Sequence, residues 1–114
     1  MWIMVAGPYR SGGADAAKRA ENLAVLNAAA PAVHRLGHVP VVNTASPTVT
    51  AAGDDDAAHE EIVMPLSLAL ADRCDACLRI GGASEGADAE VARFMAAGRP
   101  VFRRVGEIPE AVHP

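Results

Sequence analysis

The chain has 114 residues, of which 51% are apolar and 21% charged, and its formal net charge is −4. This length suits one domain spanning residues 1–114, and the composition excludes a disordered chain. The acidic balance argues against a nucleic-acid polymer as partner, and no apolar run is long enough to cross a membrane. The first residues lack a basic signal segment, so we expect a cytoplasmic protein.

The first half of the chain predicts a strand, a long helix, a second strand and a loop. Residues 2–6 are an apolar run closed by Gly7-Pro8, which is typical of a buried strand followed by a turn. Apolar residues at helical spacing predict a helix over residues 14–36, which Pro31 should bend or break near its end. A second strand (38–42) and a polar loop (43–53) follow.

The second half continues the alternation of helices and strands. Asp54, Asp55 and Asp56 precede a helix that reaches about residue 72, and three acids in a first turn favour a solvated cap over a metal site. The remaining elements are a strand (75–80), a helix from the N-cap Ser84 to Gly98, a strand (100–103) and a short last helix (108–112). This order predicts a Rossmann-like or flavodoxin-like three-layer α/β sandwich with a parallel sheet of four or five strands.

Cysteines and histidines offer weaker candidates. Cys74 and Cys77 have the spacing of a redox pair, but they lie where a helix passes into a strand, which favours reduced, mostly buried thiols. His34 and His38 favour exposed or capping roles over a metal site, and His59 favours a solvated helix face. We therefore expect neither a metal ion nor a cofactor.

Two loops follow strands at the edge of the sheet where α/β proteins bind ligands. One spans residues 6–13 and carries Arg10, whose guanidinium suits a phosphate. The other spans residues 81–86 and ends at a helix N-terminus, where backbone N–H groups and the Ser84 hydroxyl also suit a phosphate. A plain turn in which Ser84 is the N-cap explains the second loop equally well.

Glu90 is the strongest candidate for a reactive group. It lies six residues after Ser84, among small and apolar neighbours. A side chain on the second turn of a helix leans back toward the N-terminus, so the carboxylate is expected over the strand ends. Asp88 is a second candidate in the same pocket, as a general acid.

Several segments resemble the nucleoside 2-deoxyribosyltransferase-like proteins. The size is closest to their short members and to the 2′-deoxynucleoside 5′-phosphate N-hydrolases, and the resemblance covers about residues 2 to 104. The matching segments are Ile3-Met4-Val5-Ala6-Gly7-Pro8, Leu36-Gly37-His38-Val39-Pro40, Cys74-Asp75-Ala76 and Ser84-x-Gly-Ala-x-x-Glu90, with Gly98-x-Pro100-Val101 after it.

This resemblance implies an activity on a nucleotide or nucleoside. It implies that Glu90 attacks the anomeric carbon and displaces the base, and that water or a second base then completes hydrolysis or transfer. It further implies that Arg10 and Ser84 hold a 5′-phosphate and that a homo-oligomer completes the pocket. The expected substrate-binding residues are Gly7, Tyr9, Arg10, Ser67, Ser84, Gly86 and Asp88.

The chain departs from the family pattern at two positions. Met4 stands where relatives carry a tyrosine, and Ser67 stands where they carry an aspartate that contacts the sugar. Tyr9 is a candidate to replace the missing phenol, and Glu60 reaches the pocket if the helix is regular, although Pro65 disturbs it. Two hypotheses follow: a divergent enzyme, or a non-catalytic nucleotide-binding module of the same fold.

Overall fold

Short apolar runs form a parallel sheet in the computed structural model, which describes residues 1–53 and 55–111. The strands lie in the order β2-β1-β3-β4, and every neighbouring pair is parallel. This confirms the predicted fold class, with four strands in the described part of the chain. The strands are Trp2–Ala6 (β1), Val39–Val41 (β2), Ala76–Arg79 (β3) and Val101–Phe102 (β4).

Helices connect the strands and begin at polar caps. The Asp15 carboxylate accepts a hydrogen bond from the Lys18 N–H, and the Ser84 hydroxyl accepts one from the Ala87 N–H. Such caps satisfy backbone donors that the first helical turn leaves without partners. The helices are Ala16–Arg35 (α1), Pro47–Ala52 (α2), Asp56–Ala58 (α3), Met64–Arg73 (α4) and Glu85–Ala96 (α5), with a π-helical turn at His59–Val63 between α3 and α4.

Alternation along the strands divides the core into two layers. Ile3 and Val5 pack on the α1 side of the sheet, while Met4 and Ala6 pack on the side of α4 and α5. Both Ile3 and Met4 are fully buried, and burying such a side chain contributes about 1.5–3 kcal/mol. The chain is therefore a three-layer sandwich with the sheet in the middle.

The strand order creates a crevice at one edge of the sheet. From β1 the chain crosses to β2 on one side, and it then returns to β3 on the other side of β1. The loops that follow β1 and β3 therefore diverge, which opens a space beyond the carboxyl ends of these two strands. This is the place where the sequence predicts the two ligand-binding loops.

The structure shows no break of the helix at Pro31, and it contradicts two sequence predictions about local structure. Pro31 lies inside α1 without breaking it, because its ring is on the exposed side while Leu26 and Val33 anchor the helix to the sheet. The predicted loop over residues 43–53 instead contains a 3₁₀ turn, Asn43–Ala45, and the helix α2. Ser46 and Pro47 start α2, as N-cap and first helical residue, and this Ser-Pro pair is the overlooked helix signal.

The predicted last helix over residues 108–112 is also absent from its described part. A 3₁₀ turn forms at Val105–Glu107, and Ile108 is buried against the α1 side of the core. Ala111 donates a backbone hydrogen bond to the Leu36 carbonyl at 2.8 Å. Residues 112–114 and Asp54 lie outside the described residues, whereas Asp55 caps α3, as the solvated-cap interpretation predicts.

Candidate active site

A cavity of about 560 Å³ opens at the carboxyl ends of β1 and β3. Such a volume suits a small organic ligand. The loop after β1, the loop before α5, the π-helical turn and α4 all contribute walls. Seven of the predicted site residues line it, namely Gly7, Tyr9, Arg10, Ser67, Ser84, Gly86 and Glu90.

Glu90 lies in this cavity with its carboxylate largely buried. The Ser67 hydroxyl, itself 5% exposed, donates a hydrogen bond to Glu90 Oε2 at 2.7 Å. Burial raises the pKa of Glu90 to about 7, and the Ser67 hydrogen bond and the positive charge of Arg79 partly oppose that rise. Glu90 is therefore close to half ionised at neutral pH, which suits a group that exchanges between acid and carboxylate.

Arg79 is a site residue that sequence reasoning missed. Its guanidinium lies 7% exposed at the end of β3, where it donates to the Ile80 carbonyl at 2.6 Å and to the Gly82 carbonyl at 2.7 Å. These bonds fix the loop that leads to α5, and the charge favours the carboxylate form of Glu90. The sequence signal that could have identified Arg79 is its position as a charged residue directly after the apolar residues Cys77 and Leu78.

Asp88 does not line the cavity, so the prediction that it faces the pocket is wrong. Its carboxylate accepts a hydrogen bond from Arg79 Nε at 3.4 Å, and its side chain is 67% exposed. Two residues along a helix turn the side chain by about 200°. Glu90 and Asp88 therefore project from different sides of α5.

Two glycines in the cavity wall have different roles. A Cβ at Gly7 would lie 2.5 Å from the Ile80 carbonyl oxygen and 2.7 Å from Leu26 Cδ2, so no side chain fits between the loop and β3. A Cβ at Gly86 would lie 3.6 Å from the Met64 sulfur, an ordinary contact distance. Gly7 is needed for packing, whereas Gly86 leaves open space beside the first turn of α5.

Ser84 is the N-cap of α5 and also lines the cavity. Its hydroxyl oxygen caps α5 by accepting from the Ala87 N–H at 3.2 Å, which confirms the N-cap. The residue also lines the cavity, and a hydroxyl that accepts one hydrogen bond keeps its own hydrogen to donate. The cap thus leaves Ser84 able to contact a ligand.

The loop after β1 brings Arg10 into the cavity wall. Arg10 Nη2 lies 2.5 Å from Asp56 Oδ1, and the Arg10 side chain is 18% exposed against 94% for Asp56. The Tyr9 carbonyl accepts a hydrogen bond from Asn22 Nδ2 at 2.9 Å, which ties the loop to α1. Arg10 therefore stands at a cavity wall with a carboxylate on its solvent side.

His59 is a second missed residue, because the structure places it in the cavity wall rather than on a solvated face. The wider π-helical turn that begins at His59 shifts the helix relative to α4, so His59 and Ser67 share one side. Glu60 is exposed and does not line the cavity, so the prediction that it reaches the pocket is wrong. Pro65 is the second residue of α4, just after the π turn, and cannot supply a helical N–H.

Other polar candidates lie away from the cavity. Cys74 and Cys77 are buried free thiols, as predicted, and burial raises the pKa of Cys77 to about 12. His38 is buried, contrary to prediction: its Nδ1 accepts from the Met1 amino group at 2.8 Å and its Nε2 donates to the Pro109 carbonyl at 2.7 Å. Within the described ranges, no three His, Cys, Asp or Glu side chains form a group suited to a metal ion.

The sequence matches no protein-family model, and a search of curated proteins finds no match to it. None of the helices in residues 1–53 and 55–111 is long and apolar enough to cross a membrane.

Proposed function

We propose that this protein cleaves or exchanges the bond between base and sugar in a nucleotide or nucleoside, with Glu90 as nucleophile. The observation that carries the proposal is the buried Glu90 carboxylate, held by Ser67 in a cavity at the strand ends. The sequence segments that resemble nucleoside 2-deoxyribosyltransferase-like proteins support the same activity. We accordingly place the chain with that superfamily, as a cytoplasmic homo-oligomer acting on a small molecule.

The chemistry follows that of a retaining glycosidase. A Glu90 oxygen bonds to the anomeric carbon as the carbon–nitrogen bond breaks, and the electron pair leaves with the base, which takes a proton from water. A second water then attacks the same carbon, loses its proton to solvent and releases Glu90 as a carboxylate. When another base attacks instead of water, the outcome is base exchange.

Ser67 gives this carboxylate a neutral partner. A hydroxyl donates one hydrogen bond and holds the nucleophile in place without adding a second negative charge. A charged partner at this position would raise the pKa of Glu90 further through repulsion between like charges. In the present arrangement Arg79 and Ser67 both favour the ionised form that attacks carbon.

A 5′-phosphate is the group that the rest of the cavity suits. Arg10 provides a guanidinium at one wall, and the first turn of α5 presents Ser84 and the open backbone of Gly86. Guanidinium groups and helix N-termini both bind oxyanions. Nucleoside monophosphates are therefore the first substrates to test.

A nucleotide-binding module without turnover is the second candidate. The pKa of Glu90 near 7 favours it, because a protonated carboxyl group donates a hydrogen bond to a ligand and cannot attack carbon. Such a protein would be stabilised by nucleotides without releasing base.

The decisive assay incubates the wild type and two variants with a panel of nucleoside and deoxynucleoside monophosphates. Free base is measured by chromatography. Glu90→Gln should lower turnover by at least a few hundredfold while keeping nucleotide binding. Glu61→Gln is the matched control, the same change at an exposed carboxylate outside the cavity, and should retain near-normal turnover.

Normal turnover by Glu90→Gln contradicts the proposed mechanism. Stabilisation of the wild type against heat by monophosphates, with no base released from any of them, supports the binding module instead.

A further inference from the structure

The wall formed by the π-helical turn carries a histidine that the proposed reaction does not use. We propose that His59 and Arg10 together hold the phosphate of the ligand, and that His59 takes up a proton when the phosphate binds. This inference rests on the proposed function, because it specifies a 5′-monophosphate as the ligand of the same cavity.

His59 and Glu90 belong to different parts of the cavity. Ser67, which contacts Glu90, follows His59 by eight residues on one helical wall. At the rise of a helix this separates the two positions by roughly 10 to 12 Å. His59 therefore lies away from the reacting carbon. When the sugar of a nucleotide faces Glu90, His59 is within reach of its phosphate.

Burial and charges of both signs act on the protonation of His59. Burial lowers the pKa of His59, and the neighbouring Arg10 charge lowers it further, against the opposing influence of Asp56 and Glu60. The ring is therefore neutral at pH 7 in the unliganded protein. A phosphate between the two groups replaces this repulsion with attraction on both sides, so the protonated ring becomes favourable.

Apart from Arg10, the charged groups around the ring are carboxylates, which favour the protonated ring and repel an anion. Helix α2, which packs against the π-helical turn, has the sequence Pro-Thr-Val-Thr-Ala-Ala and carries no titratable side chain. Among the described residues, the charged or titratable groups that face His59 or share its cavity are Tyr9, Arg10, Asp56, Glu60, Glu85 and Glu90.

The ion pair with Asp56 shows one kind of group that Arg10 binds. The Asp56 side chain is exposed, and its carboxylate lies 2.5 Å from the Arg10 guanidinium. A carboxylate and a phosphate present similar oxygen acceptors to a guanidinium. Arg10 is thus already paired with a carboxylate. That carboxylate belongs to Asp56, three residues before His59 in the chain.

The test measures protons taken up on binding, by calorimetry at pH 7.5 in two buffers of different ionisation enthalpy. The protein is the Glu90→Gln variant. In the wild type, Glu90 would itself take up a proton when an anion binds nearby, and catalysis by Glu90 would cleave the nucleotide during the measurement. The probes are 2′-deoxyadenosine 5′-monophosphate, 2-deoxyribose 5-phosphate and the uncharged 2′-deoxyadenosine. At this pH a phosphate monoester is almost fully a dianion, so the ligand contributes little to the proton balance.

We expect uptake of about half to one proton per phosphate-bearing ligand and none with the uncharged nucleoside. Adding His59→Gln should abolish the uptake and weaken phosphate binding by about 5- to 20-fold, the loss of one charge-assisted hydrogen bond. The matched control His34→Gln removes an exposed histidine of α1 and should change neither quantity.

Three results overturn the inference: no proton uptake in the Glu90→Gln protein, equal uptake after His59→Gln, or no binding of either phosphate probe at millimolar concentration. The proposed function fails separately, through the absence of base release by the wild type. Proton-linked binding without base release supports the phosphate site and contradicts the proposed catalysis. Base release without proton-linked binding supports the proposed catalysis and contradicts the phosphate site.

Discussion

The two faces of the sheet are packed with different chemistry. The face under α1 is apolar, with Ile3, Val5 and Leu26 in its buried cluster. The face under α4 and α5 has its own apolar cluster around Phe94, but it also carries a buried arginine, two buried serines and the Glu90 carboxylate at its cavity end. Buried polar groups lower stability unless they are paired. The comparison suggests that the first face stabilises the fold and that the second gives up some stability to hold a reactive group.

The pH dependence of turnover should show the largest effect. Because the attacking form of Glu90 is the carboxylate and its pKa is about 7, kcat/KM should rise with pH. Between pH 5 and pH 8 the ionised fraction increases about 100-fold, and kcat/KM should follow it. The measurement uses the substrate found in the panel, after correction for the ionisation of any phosphate on it.

Ser67→Ala is the control for this profile. It removes a hydrogen bond that favours the carboxylate, so the acid limb should move to higher pH. If kcat/KM instead fell with rising pH through this range, Glu90 would act as a proton donor.

The apolar face should affect stability without affecting this profile. Val33 of α1 is fully buried, and Val33→Ala should reduce the free energy of unfolding by about 2 to 3 kcal/mol. Val25→Ala is the matched control on the same helix, where the side chain is 52% exposed and the cost should stay within about 0.5 kcal/mol. Denaturant unfolding measures both values, and a shifted acid limb in Val33→Ala would show that the two faces are not independent.

The reactive face should become more stable when its carboxyl group is neutral. The folded state raises the pKa of Glu90 from 4.5 to about 7, so it binds the proton more tightly than the unfolded chain. The stabilisation is complete below pH 4.5 and is lost as pH rises through 7. Relative to the wild type, Glu90→Gln should therefore gain about 2 to 3 kcal/mol between pH 4.5 and pH 8.

Glu61→Gln, which removes an exposed carboxylate, serves as the comparison for that gain and should show none. A constant difference between Glu90→Gln and the wild type across this pH range would mean that the Glu90 carboxyl group is not desolvated.

Gly86→Ala should show the smallest effect. It should raise the free energy of unfolding and weaken monophosphate binding. Its Cβ fits beside Met64, and alanine is favoured over glycine in a helix by about 0.5 to 1 kcal/mol. The unfolding free energy should rise by up to that amount, while the added methyl group narrows the cavity and weakens monophosphate binding. Gly106→Ala, in open space outside the cavity, should leave binding unchanged.

The sequence predicts the position of Glu90 well because that position depends on local rules. An N-cap at Ser84 fixes where α5 begins, and the helical repeat then places Glu90 over the strand ends. The loops after β1 and β3 follow from strand order, so Arg10 and Ser84 meet in one cavity as expected. Capping and alternation carry enough information for this part of the site.

The rest of the site depends on packing between distant segments. The π-helical turn that brings His59 into the wall has no distinctive local pattern, and a regular helix wrongly favours Glu60. Arg79, which the sequence analysis did not select, is held by Asp88 and by the Ile80 and Gly82 carbonyls. Such contacts are made by tertiary structure and are not encoded in any short run of residues.

The most direct test of the central claim is a search for the covalent intermediate on Glu90. A 2′-fluoro-2′-deoxynucleoside monophosphate, whose fluorine slows hydrolysis of a glycosyl-enzyme, is mixed with the protein, quenched in acid and digested with trypsin. Cleavage after Arg79 and Arg93 yields one peptide, residues 80–93, that contains Glu85, Asp88 and Glu90. The account predicts that this peptide gains the mass of the sugar phosphate, that fragmentation locates it on Glu90, and that Glu90→Gln shows no adduct. Base release without an adduct, or an adduct on Glu85 or Asp88, would contradict the account.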